Sequence, residues 1–294
     1  IDFLVDFALH WKTLPQVDGV ADYGGINNLL ECVSAYVHGV ASLNAANVYN
    51  MRNAAELLRM VDRADQADRL EQEAQSLLPA VKALYVDGKG YWRTRMPDGS
   101  ARDVRHCYDF LTVLNTIAPD LSEAQRHEMV AFFNRELRSE TWMHALSPLV
   151  DNVLYDVRPD HQWTGAYPAW PPEAARGLFR VGAADTAVDF LRAIARTANQ
   201  GVFGQAHFAD TVVAQEDGGA MKCHPHLPCI TDWACSSTGS YVTCIIEGLF
   251  GVEATPGKGL QARPQFADFD PDARLVDLAY QGKRYTVTRD GLRS

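Results

Sequence analysis

Positive charge is what this chain is short of. Lys and Arg number 27 against 37 Asp and Glu, a net charge of -10, and a surface of that sign repels a phosphate backbone instead of releasing its counterions. Nucleic acid is therefore not an expected partner. Long hydrophobic runs are also missing. No window reaches the roughly 18 to 20 consecutive apolar residues that a bilayer-spanning helix needs, and the first dozen residues carry Asp2, Asp6, His10 and Lys12. That pattern predicts no membrane partner and shows no signal peptide. Cysteine is sparse, six in 294 residues, too few for a disulfide scaffold in a chain this long, and the redox state of those six is open. The first residue is Ile1 and not Met, so a natural start upstream is expected and localisation stays open.

What is present is a globular composition, 47% hydrophobic and 22% charged, enough to bury a sizeable core. The segment SLNAANVYNMRNAAELLRM, residues 42–60, begins with a Ser suited to capping and repeats Leu43, Val48, Met51, Ala55 and Leu58 at helical spacing. The next, from 64 to 85, sets Ala67, Leu70, Ala74, Leu77, Val81 and Leu84 on one face and stops at the turn DGKG. Further amphipathic stretches are expected near 106–117, 122–137 (capped by Ser122), 172–181, 184–198 and 238–249. Helix pairs recur without the short strict repeat of a solenoid, which predicts a closed helical toroid. After about residue 255 the pattern changes, and ARLVDLAY, QG and KRYTVTR read as a β-hairpin in a small β-module packed on the helices. The division predicted is 1–255 for the helical domain and 256–294 for the β-module.

Chemistry concentrates in the loops. VRPDHQWTGAYPAWPP gathers Arg158, Asp160, His161, Gln162, Trp163, Tyr167 and Trp170. Aromatic faces stack on the C–H faces of sugars, and planar Arg, Asp and amide groups make paired hydrogen bonds to vicinal hydroxyls. A carbohydrate pocket is the reading, against the plainer one in which the Trp residues plug one end of the toroid. In ADYGGINN, Asp22 precedes two glycines that let a ligand approach the backbone. An Asp so placed can act as a general acid, or be an ordinary turn residue. Glycoside hydrolysis needs a second carboxylate, and Glu216 and Asp217 in AQEDGG and Asp232 in ITDWACSS are the loop acids available. KCHPHLPCITDWAC holds Cys223, His224, His226, Cys229 and Cys235, but its spacing matches no zinc pattern. Neither a metal nor any other cofactor is expected. The histidines His38, His106, His127 and His144 are read as core or surface side chains on helical segments.

With these residues in view, the chain resembles the six-hairpin glycosidases, the (α/α)6-barrel superfamily of trehalases, processing α-glucosidases and α-L-rhamnosidases. ADYGG followed by SLNAANVYNMRNAAELL is similar to a trehalase stretch in which a catalytic Asp-aromatic-small-small motif precedes an Asp-Leu-Asn-Ala helix. That match gives Asp22 the general acid's place and Tyr23 a place beside the substrate, with Leu43, Asn44 and Ala45 at the helix start. DHQWTGAYPAWPPEAARGL resembles the family's Gln-Trp-Asp-x-Pro-x-x-Trp-x-Pro run, so Gln162, Trp163, Trp170 and Pro171 would line the sugar site. The ending from CSSTGSYVTCIIEGLFG onward is similar to the last barrel helix and C-terminal β-module of many members. The resemblance implies twelve helices where periodicity shows about nine, so one or two N-terminal hairpins are expected to lie outside the chain. The fold class expected is thus mainly α, an incomplete (α/α)6 toroid with a small C-terminal β-module.

One departure bears on mechanism. Where trehalases carry the basic Glu in Val-Glu-Lys-Tyr-Asp, VFGQAHF places Gln205, and an amide cannot take a proton from water. The expectation is therefore Asp22 as acid and Glu216 as base, with His207 and Gln205 at the substrate and Asp232 and Trp233 in the binding shell. A carboxylate separation of roughly 6.5 to 9.5 Å would make the reaction inverting. The function expected is hydrolysis of a terminal sugar from a glycoside or oligosaccharide. Its competitors are a polysaccharide lyase or sugar epimerase using His207 or His161 with Tyr167, and a non-catalytic carbohydrate-binding protein.

Overall fold

A computed structural model describes residues 2–25, 35–140, 142–147, 149, 166, 169–198, 237–255, 258–266 and 269–293. The seven helical stretches bounded above are helices, and with one more at the N-terminus the described residues hold eight against the roughly nine expected. They are α2 (Ala41–Arg59), α3 (Ala64–Lys82), α4 (Cys107–Thr116), α5 (Glu123–Phe132), α6 (Trp170–Arg180), α7 (Ala184–Ala198) and α8 (Ser237–Thr243). Helices α5 and α8 each run on into a π-turn, Phe133–Leu137 and Cys244–Leu249. An eighth helix, α1 (Asp2–Leu9), escapes the periodicity reading because its eight residues are too few to establish a pattern. Among the described residues no helix is long and apolar enough to cross a membrane.

The hydrophobic stripes dictate a two-layer arrangement. α2 buries Ala45, Val48, Met51, Ala55 and Leu58, and α3 turns Ala67, Leu70, Ala74, Leu77 and Val81 against it. Burying each large aliphatic side chain is worth about 1.5–3 kcal/mol over leaving it in water. α2 also packs on α4, α4 on α6, and α6 on both α7 and α8. The inner helices α2, α4 and α6 point the same way. Ser42 meets Asp109 near the starts of α2 and α4, whereas Arg52 reaches Asp120 beyond the end of α4. Likewise Trp170 lies against Tyr108 at the starts of α4 and α6, and Gly177 lies against Leu114 farther along. In the outer layer Phe133, just past α5, stacks on Phe110 of α4 and meets Phe190 of α7 edge-on. Ser122 caps α5 through a full capping box with Gln125. Ser42, by contrast, does not cap α2, because the helix starts one residue earlier and the Ser42 N–H is taken by the Asp109 carboxylate.

Small antiparallel sheets decorate this frame. β1 (Gln16–Val17) and β2 (Val20–Ala21) form a tight hairpin whose central Asp18 and Gly19 both have positive φ, the signature of a type I′ turn. β3 (Tyr85–Val86), β4 (Tyr91–Arg95) and β5 (Ala101–Asp103) make a three-stranded sheet around the DGKG turn. Two of its strands are only two or three residues long, so alternation could not announce them. After the helices come β6 (Val252–Thr255) paired with β7 (Gly259–Ala262), then β8 (Leu275–Tyr280), β9 (Lys283–Thr288) and β10 (Gly291–Arg293) in one meander. The QG dipeptide makes the β8–β9 turn, with positive φ at both residues. Val287 of β9 is fully buried in the same hydrophobic cluster as the helices, and Leu275, Leu278 and Leu292 pack against that cluster.

Two glycines of the DGKG turn separate backbone strain from crowding. Gly88 and Gly90 both have positive φ, but a Cβ on Gly88 would meet nothing, whereas one on Gly90 would lie 2.0 Å from the Glu128 carbonyl oxygen of α5. Gly88→Ala should lose about 1–2 kcal/mol, the cost of the left-handed conformation alone. Gly90→Ala should lose clearly more in urea unfolding, since the sheet must also separate from α5.

Candidate active site

Asp22 follows directly from β2 and is placed by an internal fastener. The Asn44 side chain, fully buried on α2, accepts the Ala21 N–H at 2.8 Å and donates to the Ala21 carbonyl at 3.1 Å and the Val40 carbonyl at 2.9 Å. Asn44 thereby satisfies three backbone groups that burial would otherwise leave unpaired. The Asp22 N–H adds a bond to the Pro15 carbonyl at 2.8 Å. The next residues run beside segment 38–40: His38 N–H donates to the Gly24 carbonyl at 2.7 Å, and Tyr23 N–H to the His38 carbonyl at 3.2 Å. Gly39 exchanges two backbone bonds with Arg95 of β4, and a Cβ on it would lie 3.0 Å from both Arg95 and Val20.

Within this scaffold the Asp22 side chain is largely buried, and its Oδ1 accepts two hydrogen bonds. One comes from the Gly24 N–H at 2.7 Å and the other from His38 Nδ1 at 2.9 Å. Oδ2 accepts none among the described residues, so the anchoring seen is through Oδ1 alone. Tyr23 turns its hydroxyl to α2, where Asn47 Nδ2 donates to it at 2.7 Å. Burial raises the Tyr23 pKa, and the Asn47 bond partly offsets that rise. His38 is not helical, contrary to the sequence expectation. It has φ 64, and the loop closing onto Gly24 requires that left-handed turn, at a cost of about 1–2 kcal/mol for a non-glycine residue. His144 likewise lies in a loop, and His106 is the N-cap of α4 rather than part of it.

The same segment, through Tyr36, reaches the starts of α4 and α6. The Tyr36 hydroxyl donates to Asp109 Oδ1 at 2.6 Å and so must accept from the Ser42 hydroxyl, 2.5 Å away. The Ser42 N–H also donates to Asp109 Oδ1, at 2.8 Å. Despite these donors, complete burial dominates and pushes the Asp109 pKa up to about 7. Its Oδ2 has no partner among the described residues. The His106 Nδ1 accepts the Tyr108 N–H at 3.0 Å, which puts the ring proton on Nε2. Burial holds the His106 pKa down at about 3, and Nε2 is buried without a hydrogen-bond partner among the described residues. Its ring lies 4.9 Å from Tyr36 and 5.4 Å from Trp170, the latter edge-on, and Trp170 also meets Tyr108 at 5.8 Å. Behind them, Glu136 is buried among Arg105, Arg135 and the Ser147 hydroxyl, which hold its pKa below the usual carboxylate value against the opposing effect of burial.

Of the residues singled out from the sequence for the site, Asp22, Tyr23, Trp170 and Pro171 are placed, on one end of the inner layer, with Pro171 buried in the first turn of α6. Glu216, His207, Arg158, Asp160, His161, Gln162, Trp163, Tyr167, Gln205, Asp232 and Trp233 lie outside the described residues, as does the cysteine and histidine cluster at 223–235. Cys107 and Cys244 are free and buried. Sequence reading missed His38, Tyr36, His106 and Asp109. The dipeptide His38-Gly39 ahead of a strong helix was the one local signal that a turn placed His38 next to a functional loop.

No protein-family model matches the chain, and no curated protein does. Solved structures do. A chain titled sialidase superposes with a TM-score of 0.73 at 13% identity, covering 97% of this chain and 28% of that one. The neutral trehalase Nth1 of Saccharomyces cerevisiae gives 0.49 at 13% identity, covering 71% of this chain and 37% of the trehalase. The fold shared with the sialidase chain is mainly α, an (α/α)6 toroid with small antiparallel sheets. The chain spans less than a third of the length of the sialidase chain it matches.

Asp109 and His106 give opposite pH dependences of stability. Asp109 binds a proton more tightly folded than unfolded, so between its ordinary value near 4 and about 7 stability falls as pH rises, by up to about 1.4 kcal/mol per unit. His106 binds one less tightly when folded, so from about 3 to its ordinary value near 6.5 stability rises with pH. The two contributions oppose each other in the parent protein. Asp109→Asn keeps an oxygen for Tyr36 and Ser42 and removes the first. Urea unfolding from pH 4 to 8 should show the variant gaining on the parent steadily up to pH 7. A constant difference would mean that Asp109 does not titrate in that window.

Proposed function

We propose that this protein is a glycoside hydrolase that removes a terminal sugar by inverting acid/base catalysis, with residues 1–255 forming the catalytic domain and 256–294 an accessory β-module. The observation that carries this reading is the arrangement of Asp22. Its carboxyl group is fixed through Oδ1, and segment 35–40, which supplies His38, also carries Tyr36 of the aromatic group of Tyr36, His106, Tyr108 and Trp170 at the N-terminal ends of the inner helices. A held carboxyl group is what protonation of a glycosidic oxygen requires, and the partly exposed rings of that group, Tyr108 and Trp170, are the ones on which a sugar could stack. The fold, shared with six-hairpin glycosidases, supports the same class, although a fold by itself admits several chemistries.

In this proposal Asp22 is the general acid and Glu216 the base that takes a proton from water. His207 joins them at the catalytic centre, in contact with substrate, and Tyr23, Arg158, Asp160, His161, Gln162, Trp163, Tyr167 and Trp170, with Gln205, Asp232 and Trp233, form the sugar-binding shell. The substrate is an oligosaccharide or glycoside, and no cofactor takes part.

Hydrolysis of a panel of aryl glycosides, including α-L-rhamnoside, α-glucoside and β-glucuronide, tests this directly. One glycoside should be cleaved, and Asp22→Asn and Glu216→Gln should each lower kcat by about 10²–10⁴-fold. The loss from Asp22→Asn should be smaller for glycosides with acidic aryl leaving groups, which need less protonation. Unsaturated products from a uronate polymer with no aryl release would overturn hydrolysis in favour of β-elimination.

A further inference from the structure

We infer that His38 is the positioning residue of the candidate acid: its Nδ1–H holds the Asp22 carboxyl group so that Oδ2 faces the substrate. The inference rests on the glycosidase reading above for its kinetic consequence, though not for the geometry. His38 Nδ1 lies 2.9 Å from Asp22 Oδ1, and that same oxygen receives the Gly24 N–H at 2.7 Å. Two donors on one oxygen fix the carboxyl plane, because rotation about the Cβ–Cγ bond would break both. A proton carried by Oδ2 leaves this arrangement intact, so Asp22 can be held identically before and after it gives that proton to a leaving oxygen.

The backbone supports the assignment independently. His38 occupies a left-handed conformation, φ 64, that glycine or asparagine would adopt at less cost. It is kept there by its own N–H on Gly24, by its carbonyl accepting the Tyr23 and Val40 N–H groups, and by Gly39 locked to Arg95. Strain retained beside a carboxyl group, with the imidazole aimed at that carboxyl, marks a built contact. The ring is partly open to solvent, at 23% of its side-chain surface against 10% for Asp22, so it shields the inner flank of the acid without closing access to it. Nδ1 must carry the proton for this bond when the ring is neutral, which is the tautomer that free imidazole side chains favour less.

Two variants and one spectrum test the inference. His38→Gly relaxes the backbone and deletes the donor, and should lower kcat on the cleaved glycoside by on the order of 10–100-fold, leaving KM within about twofold and thermal stability undiminished. His38→Asn tolerates the left-handed turn and carries an N–H at the position of Nδ1, so it should recover most of the lost rate. Wild-type kcat in His38→Gly, or a His38→Asn variant as slow as His38→Gly, would overturn the inference. In ¹⁵N spectra of the parent protein at neutral pH, the His38 ring should show a protonated Nδ1 and a bare Nε2, and should lose that preference in Asp22→Asn. A ring protonated only at Nε2 would overturn it as well. Should the parent cleave no glycoside, hydrolysis would fail as the function, and the ring spectrum alone would decide whether His38 holds Asp22.

Discussion

Asp109 makes the contact on which the candidate site depends. Its carboxyl group stands in the first turn of α4 and binds, through a single oxygen, the Tyr36 hydroxyl and the first-turn N–H of Ser42 on α2. Two inner helices and the segment that carries His38 are joined there. Burial of the group opposes ionisation, which is why its pKa lies near 7. The contact nonetheless fixes where α2 begins relative to α4, since a slip of either helix would leave a buried carboxyl, a phenol and a backbone N–H unpaired together. The large apolar stripes make the helices associate. This polar contact selects the alignment.

Asn44 extends the alignment to the loop. Because it sits one turn into α2 and binds both backbone groups of Ala21 and the carbonyl of Val40, the residue before Asp22 and the residue after Gly39 are tied to the same helix. The chain on both sides of the Asp22–His38 contact, at Ala21 and Val40, is therefore referred to one helix. Loops that carry function are usefully built this way, with variable chain hung from fixed helix starts. The left-handed turn at His38 and the crowding at Gly39 are local costs that this fastening sustains.

The electrostatics of that end are consistent with its shape. Three inner helices present their N-terminal ends there, where the helix dipole favours negative charge within the first turn, and Asp109 occupies one of those first turns. Asp22 stands just outside them. Uncharged His106 and the phenol of Tyr36 are fully buried and give that end an apolar interior with few formal charges.

Helical periodicity, capping at Ser122 and the turn signals DGKG and QG made seven helices and the last hairpin legible in the sequence, because each depends on residues within a few positions of one another. The likeness of ADYGG and SLNAANVYN to a glycosidase stretch pointed to Asp22 for the same local reason. What local pattern could not carry was pairing at a distance. His38 looked like a helical side chain until the Gly24 and Arg95 contacts forced its backbone into a left-handed turn. Ser42 looked like a helix cap, and nothing local tied it to Asp109, 67 residues away. The short strands β1 to β5 hold too few residues to show alternation, and they exist because neighbouring helices fix their ends. The sequence by itself determined the helices, their buried faces and the candidate acid. Only tertiary structure decided which histidine faces that acid and which carboxyl group aligns the helix starts, since both depend on bonds that form after the apolar faces have brought distant segments together.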